Sequence, residues 1–237
     1  MLGRFLEVSL PAPRTLESWQ YYQALGFTSA TVGEVWPHRY AVVTDGRVAI
    51  GLHDATLEGP TLSYVLPDLA RHTGGLEAAG VEFESRVLGD DAFNEARFQG
   101  PGGVRARLIE ARTFSPPERA KGSVLGWFEE YAVPVGDLER ARAYWESLGF
   151  VTAAEEERPW PHLSLTSDTL DLGLYLTREI ESPTLVFSTE NLSEVRTRLE
   201  ALGLEPERRL PKSLDAATHL LLVSPEGTNL LVTPPPE

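Results

Sequence analysis

Along residues 5–10 apolar and polar positions alternate, with Leu6, Val8 and Leu10 on one parity and Phe5, Glu7 and Ser9 on the other, so the chain opens on a half-buried strand. A helical pattern over residues 15–25 follows and stops at Gly26, the residue type best suited to the left-handed turn that ends a helix. Three short strands are predicted next, over 28–33, 40–44 and 47–53, with Asp45-Gly46 supplying the last hairpin turn. The same order then recurs: a strand over 61–66, a helix over 68–79 closed by Gly80, and strands over 81–86, 96–99 and 104–110.

A longer repeat contains this short one. Phe5, Glu7 and Pro11 return as Phe128, Glu130 and Pro134, and Leu25-Gly26-Phe27 returns as Leu148-Gly149-Phe150. Further along, Pro60-Thr61-Leu62 matches Pro183-Thr184-Leu185, and Leu76-Glu77-Ala78 matches Leu199-Glu200-Ala201. Trp36-Pro37-His38 returns as Trp160-Pro161-His162 and Gly51-Leu52 as Gly173-Leu174, each shifted by one residue, which a hairpin turn absorbs. The chain is therefore an α+β protein of four βαβββ modules in two tandem domains: 1–113 (modules 1–57 and 58–113) and 124–237 (modules 124–180 and 181–237). Residues 114–123, rich in Pro, Gly and charge and without apolar periodicity, form the linker. In the second copy Leu170, Leu172, Leu174 and Leu176 alternate with Asp171, Gly173, Tyr175 and Thr177, so one sheet face packs on helices and the other faces a cavity or solvent.

Composition narrows the function classes. A net charge of −14 with no Lys/Arg run repels nucleic acid and anionic lipid. The absence of cysteine removes disulfides, thiolate zinc sites and cysteine nucleophiles. The first ten residues carry Arg4 and Glu7 and lack the continuous apolar stretch of a signal peptide or membrane span, so a cytoplasmic location is expected. No phosphate loop or dinucleotide fingerprint is present; Gly100-Pro101-Gly102-Gly103 reads as a hairpin turn.

A strand ending in Pro, a helix bearing Tyr21-Tyr22 or Tyr144-Trp145, then Leu-Gly-Phe, together with the turns Pro101-Gly102-Gly103-Val104 and Pro225-Glu226-Gly227-Thr228-Asn229, resembles the vicinal oxygen chelate superfamily of glyoxalases, bleomycin-resistance proteins and extradiol dioxygenases. The resemblance covers nearly the whole chain outside the linker. It implies that paired modules curl their sheets around a cavity with helices outside, and that metal-using members place His or Glu ligands on the first and last strand of each module. At those positions this chain offers Phe5, Gly51, Thr61 and Arg107, then Phe128, Gly173, Thr184 and Leu231, none a good ligand for a divalent cation. No metal and no cofactor is expected, and the character is closest to the metal-free bleomycin-resistance-like branch. A metal site built elsewhere would draw on His53, two residues beyond Gly51, which can approach Glu7 across the sheet.

Candidate site residues follow from parity. Glu7 and Glu130 face the cavity and are the candidate general bases; Arg105 and Arg107 share that face, and the plain alternative is an internal Glu–Arg ion pair plugging a dead cavity. His53 and the equivalent Tyr175 could hydrogen-bond a ligand at the cavity floor or be strand-end surface residues. Trp36 with His38, and Trp160 with His162, could line the mouth as an aromatic platform or simply cap the core at a hairpin. Asn229 is a candidate by parity alone, and the helix aromatics Tyr21-Tyr22 and Tyr144-Trp145 read as core.

The leading expectation is a metal-free protein, monomeric or weakly dimeric, that binds a small organic molecule. Alternatives are a glyoxalase-like lyase or isomerase or a dioxygenase-related enzyme, and a non-catalytic scaffold whose cavities are filled.

Overall fold

The computed structural model describes residues 1–30, 36–55, 57–111, 122–167 and 170–236. In the N-terminal half the chain runs β1 (Arg4–Pro11), α1 (Thr15–Ala24), β2 (Thr28–Ser29), β3 (Tyr40–Thr44), β4 (Ala49–His53), β5 (Thr61–Leu66), α2 (Leu69–Ala78), β6 (Phe83–Val87), β7 (Glu95–Gln99) and β8 (Arg105–Glu110). The C-terminal half repeats the order as β9 (Trp127–Pro134), α3 (Leu138–Ser147), β10 (Val151–Glu156), β11 (His162–Ser167), β12 (Leu170–Tyr175), β13 (Thr184–Ser188), α4 (Leu192–Ala201), β14 (Leu220–Val223) and β15 (Asn229–Thr233). Part of the strand expected over 28–33, and most of the linker expected over 114–123, lie outside the described residues.

Each half forms one mixed sheet, ordered β2-β3-β4-β1-β5-β8-β7-β6 and β10-β11-β12-β9-β13-β15-β14. The opening and closing strands of each module lie parallel, β1 with β4, β5 with β8, β9 with β12 and β13 with β15, and the opening strands of paired modules meet antiparallel at the sheet centre. The architecture is the α+β arrangement expected from the repeat, with one departure. In the fourth module the stretch between α4 and β14 forms no strand, so that module is βαββ and its sheet has seven strands instead of eight.

Local chemistry explains the element ends. Asp68, Asp137 and Asn191 cap α2, α3 and α4 by accepting from the backbone N–H three residues on, at 3.2, 3.0 and 3.1 Å. At the β3–β4 hairpin Asp45 Oδ1 accepts from the N–H groups of Arg47 and Val48, and Gly46 takes φ +95°, a conformation that favours glycine.

One continuous apolar core runs through both halves, from Val8, Leu10, Ile50 and Leu108 to Tyr131, Leu172, Leu185 and Phe187. The helix aromatics belong to it, as the pattern implied, and join the halves reciprocally. Tyr22 of α1 is fully buried and donates to Glu226 Oε1 (2.7 Å) in the turn before β15. Trp145 of α3, also fully buried, packs over Gly100 in the corresponding turn before β8, where a Cβ would stand 2.7 Å from its ring.

The main correction to the parity reading sits in β1 and β9. The β1–β5 register slips between Phe5 and Glu7, and the β9–β13 register slips so that Phe187 pairs with Phe128 while Val186 pairs with Glu130. An extra residue at Leu6 and at Glu129 reverses the alternation. Phe5 and Phe128 therefore turn into the main core, Leu6 joins a small apolar cluster with Trp36, Val65 and Ile109, and the phenylalanines do not occupy cavity-facing positions at all.

Candidate functional site

In the N-terminal half the opening strand turns Glu7, completely buried, to the sheet face away from the main core. It leans over Gly51, and a Cβ there would stand 2.2 Å from its Oε1, so the glycine is what makes room for a carboxylate. Glu7 Oε1 accepts from Ser9 Oγ (2.8 Å) and lies 2.6 Å from His53 Nε2, while Ser9 Oγ is 2.7 Å from Ser63 Oγ on β5. His53, also fully buried, places its second nitrogen, Nδ1, 2.8 Å from His38 Nε2. Three groups thus stand in line, from a buried carboxylate through a buried imidazole to the half-buried His38. Burial, with His53 and Arg107 nearby, holds the His38 pKa below the ordinary histidine value against the opposite pull of Glu7 and Asp54.

Aromatic rings enclose the line. Tyr40 stacks on His53 (5.7 Å between ring centroids, 8° between planes), and Trp36 meets the same imidazole edge-on at 5.0 Å. The Arg107 guanidinium lies 4.2 Å from the centre of the Trp36 ring. Arg107 does not pair with Glu7, as the plug reading required; its guanidinium binds Glu95, whose other oxygen takes Arg97 Nη2 at 2.8 Å. Register explains this triad: Arg97 and Arg107 stand directly opposite on β7 and β8, and like charges so placed repel unless an anion intervenes. Burial pulls the Arg107 pKa down and Glu95 opposes that pull. Arg105 sits at the rim, 3.6 Å from Glu58.

The C-terminal concavity begins the same way and ends differently. Glu130 leans over Gly173, where a Cβ would stand 2.2 Å from its carboxylate, and accepts from Ser164 Oγ (2.9 Å) and from the Tyr175 hydroxyl. Burial raises the Glu130 pKa above the usual carboxylate range, opposed by those two hydrogen bonds, and burial together with Glu130 pushes the Tyr175 phenol far up. His162 stacks flat on Tyr175 (4.5 Å, 4°) with Nδ1 3.2 Å from the Trp160 carbonyl. Over this floor lies an apolar cluster of Ala132, Trp160, Tyr175, Ile180, Val186, Leu214 and Leu231, with Leu210 packed against it. Leu210 and Leu214 come from the stretch that replaces the missing strand of the fourth module.

Of the residues singled out in the sequence, the N-terminal concavity brings together Glu7, His53, His38, Trp36 and Arg107, and the C-terminal one Glu130, Tyr175, His162 and Trp160. Both tryptophans are buried lids rather than open platforms, at 6% and 7% exposure. Arg105 and Asn229 lie at the edges; the Asn229 amide donates to Ser182 Oγ at 3.1 Å. Sequence reasoning missed Ser9, Ser63, Tyr40, Glu95 and Ser164. Ser9 was available from its parity with Glu7, whereas the others depend on strand register.

Four of the positions that the resemblance gives to a metal offer it no ligand. The Thr61 and Thr184 hydroxyls are turned to the carbonyls of Gly59 and Ser182, Leu231 is aliphatic, and Arg107 is a cation. Glu7 has one unpaired buried oxygen, Oε2, yet both nitrogens of its neighbour His53 are committed along the line. Among the described residues no three His, Asp or Glu side chains converge as a metal site requires.

No family model and no curated protein sequence matches the chain. Solved structures do match. Homoprotocatechuate 2,3-dioxygenase from Brevibacterium fuscum, in complex with 3,4-dihydroxyphenylacetate, aligns at a TM-score of 0.64 and 16% identity over 99% of this chain and 81% of that one. A catechol 2,3-dioxygenase aligns at 0.62 and 14% identity over 99% and 90%, and the Arthrobacter globiformis homoprotocatechuate 2,3-dioxygenase at 0.62 and 13% over 98% and 80%. The fold is the vicinal oxygen chelate fold. At such identities the likeness carries architecture and not activity. Among the described residues no helix is long and apolar enough to cross a membrane.

Proposed function

We propose that the protein binds a small organic molecule at the N-terminal concavity without a metal ion, and that the C-terminal concavity serves as a structural core. The observation that carries this reading is the difference between the two floors. The N-terminal floor connects through His38 to the half-buried Tyr40, with the exposed Phe93 ring 6.2 Å from Trp36, whereas Leu210 and Leu214 cover the C-terminal floor with aliphatic groups. A ring-bearing ligand would lie against Tyr40 and Phe93 and hydrogen-bond to His38. The structural neighbours in which a small aromatic molecule is bound support this class of ligand. The test is titration with 3,4-dihydroxyphenylacetate and a panel of aromatic acids and amines, read by tryptophan fluorescence, in the wild-type chain and in His38→Ala. A saturable response weakened at least tenfold by the substitution is expected. The reading fails if no compound elicits a response, or if the substitution leaves it intact.

The comparisons favour a second reading, a dioxygenase-related enzyme, because the similar solved structures reported above are extradiol dioxygenases. Stoichiometric iron or manganese retained by protein purified without a metal-affinity tag, with oxygen uptake on adding a catechol, would establish it and would displace the donor geometry described above.

A further inference from the structure

We infer that Glu7, His53 and His38 form a proton relay that takes a proton from a bound weak acid at His38 and stores the positive charge on His53, so that the ligand is held as its anion. The inference rests on the reading that this concavity binds a ligand and adds what chemistry it performs.

The geometry sets the direction. The carboxylate can only accept, so His53 Nε2 carries the hydrogen shared with Glu7 Oε1 at 2.6 Å. In the neutral chain His53 Nδ1 is then an acceptor, and His38 Nε2 must be the donor across the 2.8 Å separation. That fixes His38 in the tautomer whose lone pair is on Nδ1, the nitrogen not engaged with His53. When Nδ1 takes a proton from the ligand, the hydrogen on Nε2 can pass to His53 Nδ1. One N–H bond forms at each ring and one breaks at His38; the acid loses its proton and becomes an anion, His38 ends neutral in the other tautomer, and His53 ends as imidazolium. No oxidant or second substrate is involved.

Electrostatics favours that end state. Around His38 stand Arg107 from β8, His53 and Asp54 at the end of β4, Glu7 from β1 and Tyr40 from β3. Arg107 and His53 disfavour a charge on the outer ring. The Glu7 carboxylate, with its Oε2 otherwise unpaired, touches the inner ring and, among the described residues, has no other cationic partner in hydrogen-bond reach, because Arg107 is held by Glu95. Arg107 also offers a fixed positive field to the anion left at the rim. The ligand class that fits is a weak acid with a delocalised anion, such as a phenol or a 1,3-dicarbonyl compound. The C-terminal half cannot do this: Tyr175 replaces His53, and a hydroxyl that donates to Glu130 leaves no nitrogen to pass a proton outward.

Two measurements on the full chain decide it. Long-range proton–nitrogen NMR of the histidine-labelled protein, titrated from pH 8 downward without ligand, is expected to show His53 protonated on Nε2 at the start and the first imidazolium appearing on His53. In Glu7→Gln the first imidazolium should move to His38. Charge appearing first on His38 in the wild-type chain overturns the relay, and this result needs no variant to fold. The second measurement uses 4-nitrophenol near pH 6, where the free compound is mostly protonated. The wild-type chain should bind it as the coloured phenolate, and His38→Gln should lose at least nine-tenths of that colour at saturation. Binding as the neutral phenol overturns the relay even though the site binds. Absence of any 4-nitrophenol binding counts against the binding reading, and the NMR titration then judges the relay by itself.

Discussion

The two concave faces begin from one plan, a buried glutamate leaning over a glycine on the neighbouring strand, and diverge at the group that satisfies it. In the N-terminal half the partner is His53, a group with a second nitrogen that continues outward to His38. In the C-terminal half it is Tyr175, whose single hydroxyl ends the line, beneath aliphatic side chains. Both solutions meet the requirement that a buried carboxylate find donors. Only the first connects the buried charge to the rim. Duplication thus preserved a structural need in both halves while function, as proposed here, depends on which donor meets it.

The sharpest way to break this contrast is to remove each glutamate. Glu7→Ala strips His53 of the acceptor on which the whole line is built, and losses of about 3–5 kcal/mol accompany removal of one member of a buried ionic or hydrogen-bonded pair. Glu130→Ala leaves the Tyr175 and Ser164 hydroxyls without their acceptor, which costs about 1–3 kcal/mol, and relieves a carboxylate already penalised by burial. Denaturant unfolding of both variants should show the N-terminal substitution costing more. Equal losses would mean that the two glutamates do the same job.

Opening the filled face comes next. Leu214 is 8% exposed and packs against Leu231 and Trp160. Leu214→Ala is expected to cost about 2–3 kcal/mol, the lower part of the range for a buried leucine, because it sits on a stretch without strand pairing that can collapse. Its diagnostic effect is on binding: if the C-terminal concavity is only a core, the variant keeps the wild-type response to aromatic ligands. Loss of that response would place the ligand in the wrong half. A smaller effect is expected from Gly51→Ala and Gly173→Ala, each driving a methyl group into a carboxylate that must shift. Overpacking of this kind costs about 1–2 kcal/mol, but Gly51→Ala alone should also shift the His53 ring resonances, since it displaces Glu7 from its imidazole.

Much of the fold was legible because the repeat is written in glycines, prolines and aromatics whose roles are local. Gly26 and Gly80 end helices at positive φ as expected, and Tyr22 and Trp145 are core residues as their helical positions implied. The approach of His53 to Glu7 was also readable, from two strands of known spacing. The placement of Phe5 and Phe128 was not. A period-two count assumes an unbroken ladder, and one extra residue in each opening strand reverses every side chain before it. Nor could the pairing of Arg107 with Glu95, or the closure of the second concavity by Leu210 and Leu214, be read from spacing. The first depends on which residues of β7 and β8 face each other, and the second on a strand that the fourth module lacks.

The smallest expected effect tests the electrostatics of the silent half. Burial raises the folded-state pKa of Glu130 above the unfolded value of about 4.5, against the pull of Tyr175, Ser164 and His162 and with Asp171 adding to the rise. A carboxyl whose pKa is higher folded than unfolded binds more protons in the native state across that interval. Its ionisation therefore subtracts stability as pH climbs from about 4.5 through the folded-state value, and subtracts the full amount above it. Glu130→Gln removes the charge but keeps an oxygen to accept from Tyr175 and an amide to meet the Ser164 hydroxyl. The variant should match the wild-type melting temperature near pH 4 and exceed it at pH 8, by about 2–4 °C for each kcal/mol of relieved penalty. A variant less stable at pH 8 than at pH 4, relative to wild type, would show that the carboxylate of the C-terminal half is held by a favourable charge partner, and the distinction between a connected and a buried-off glutamate would then be lost.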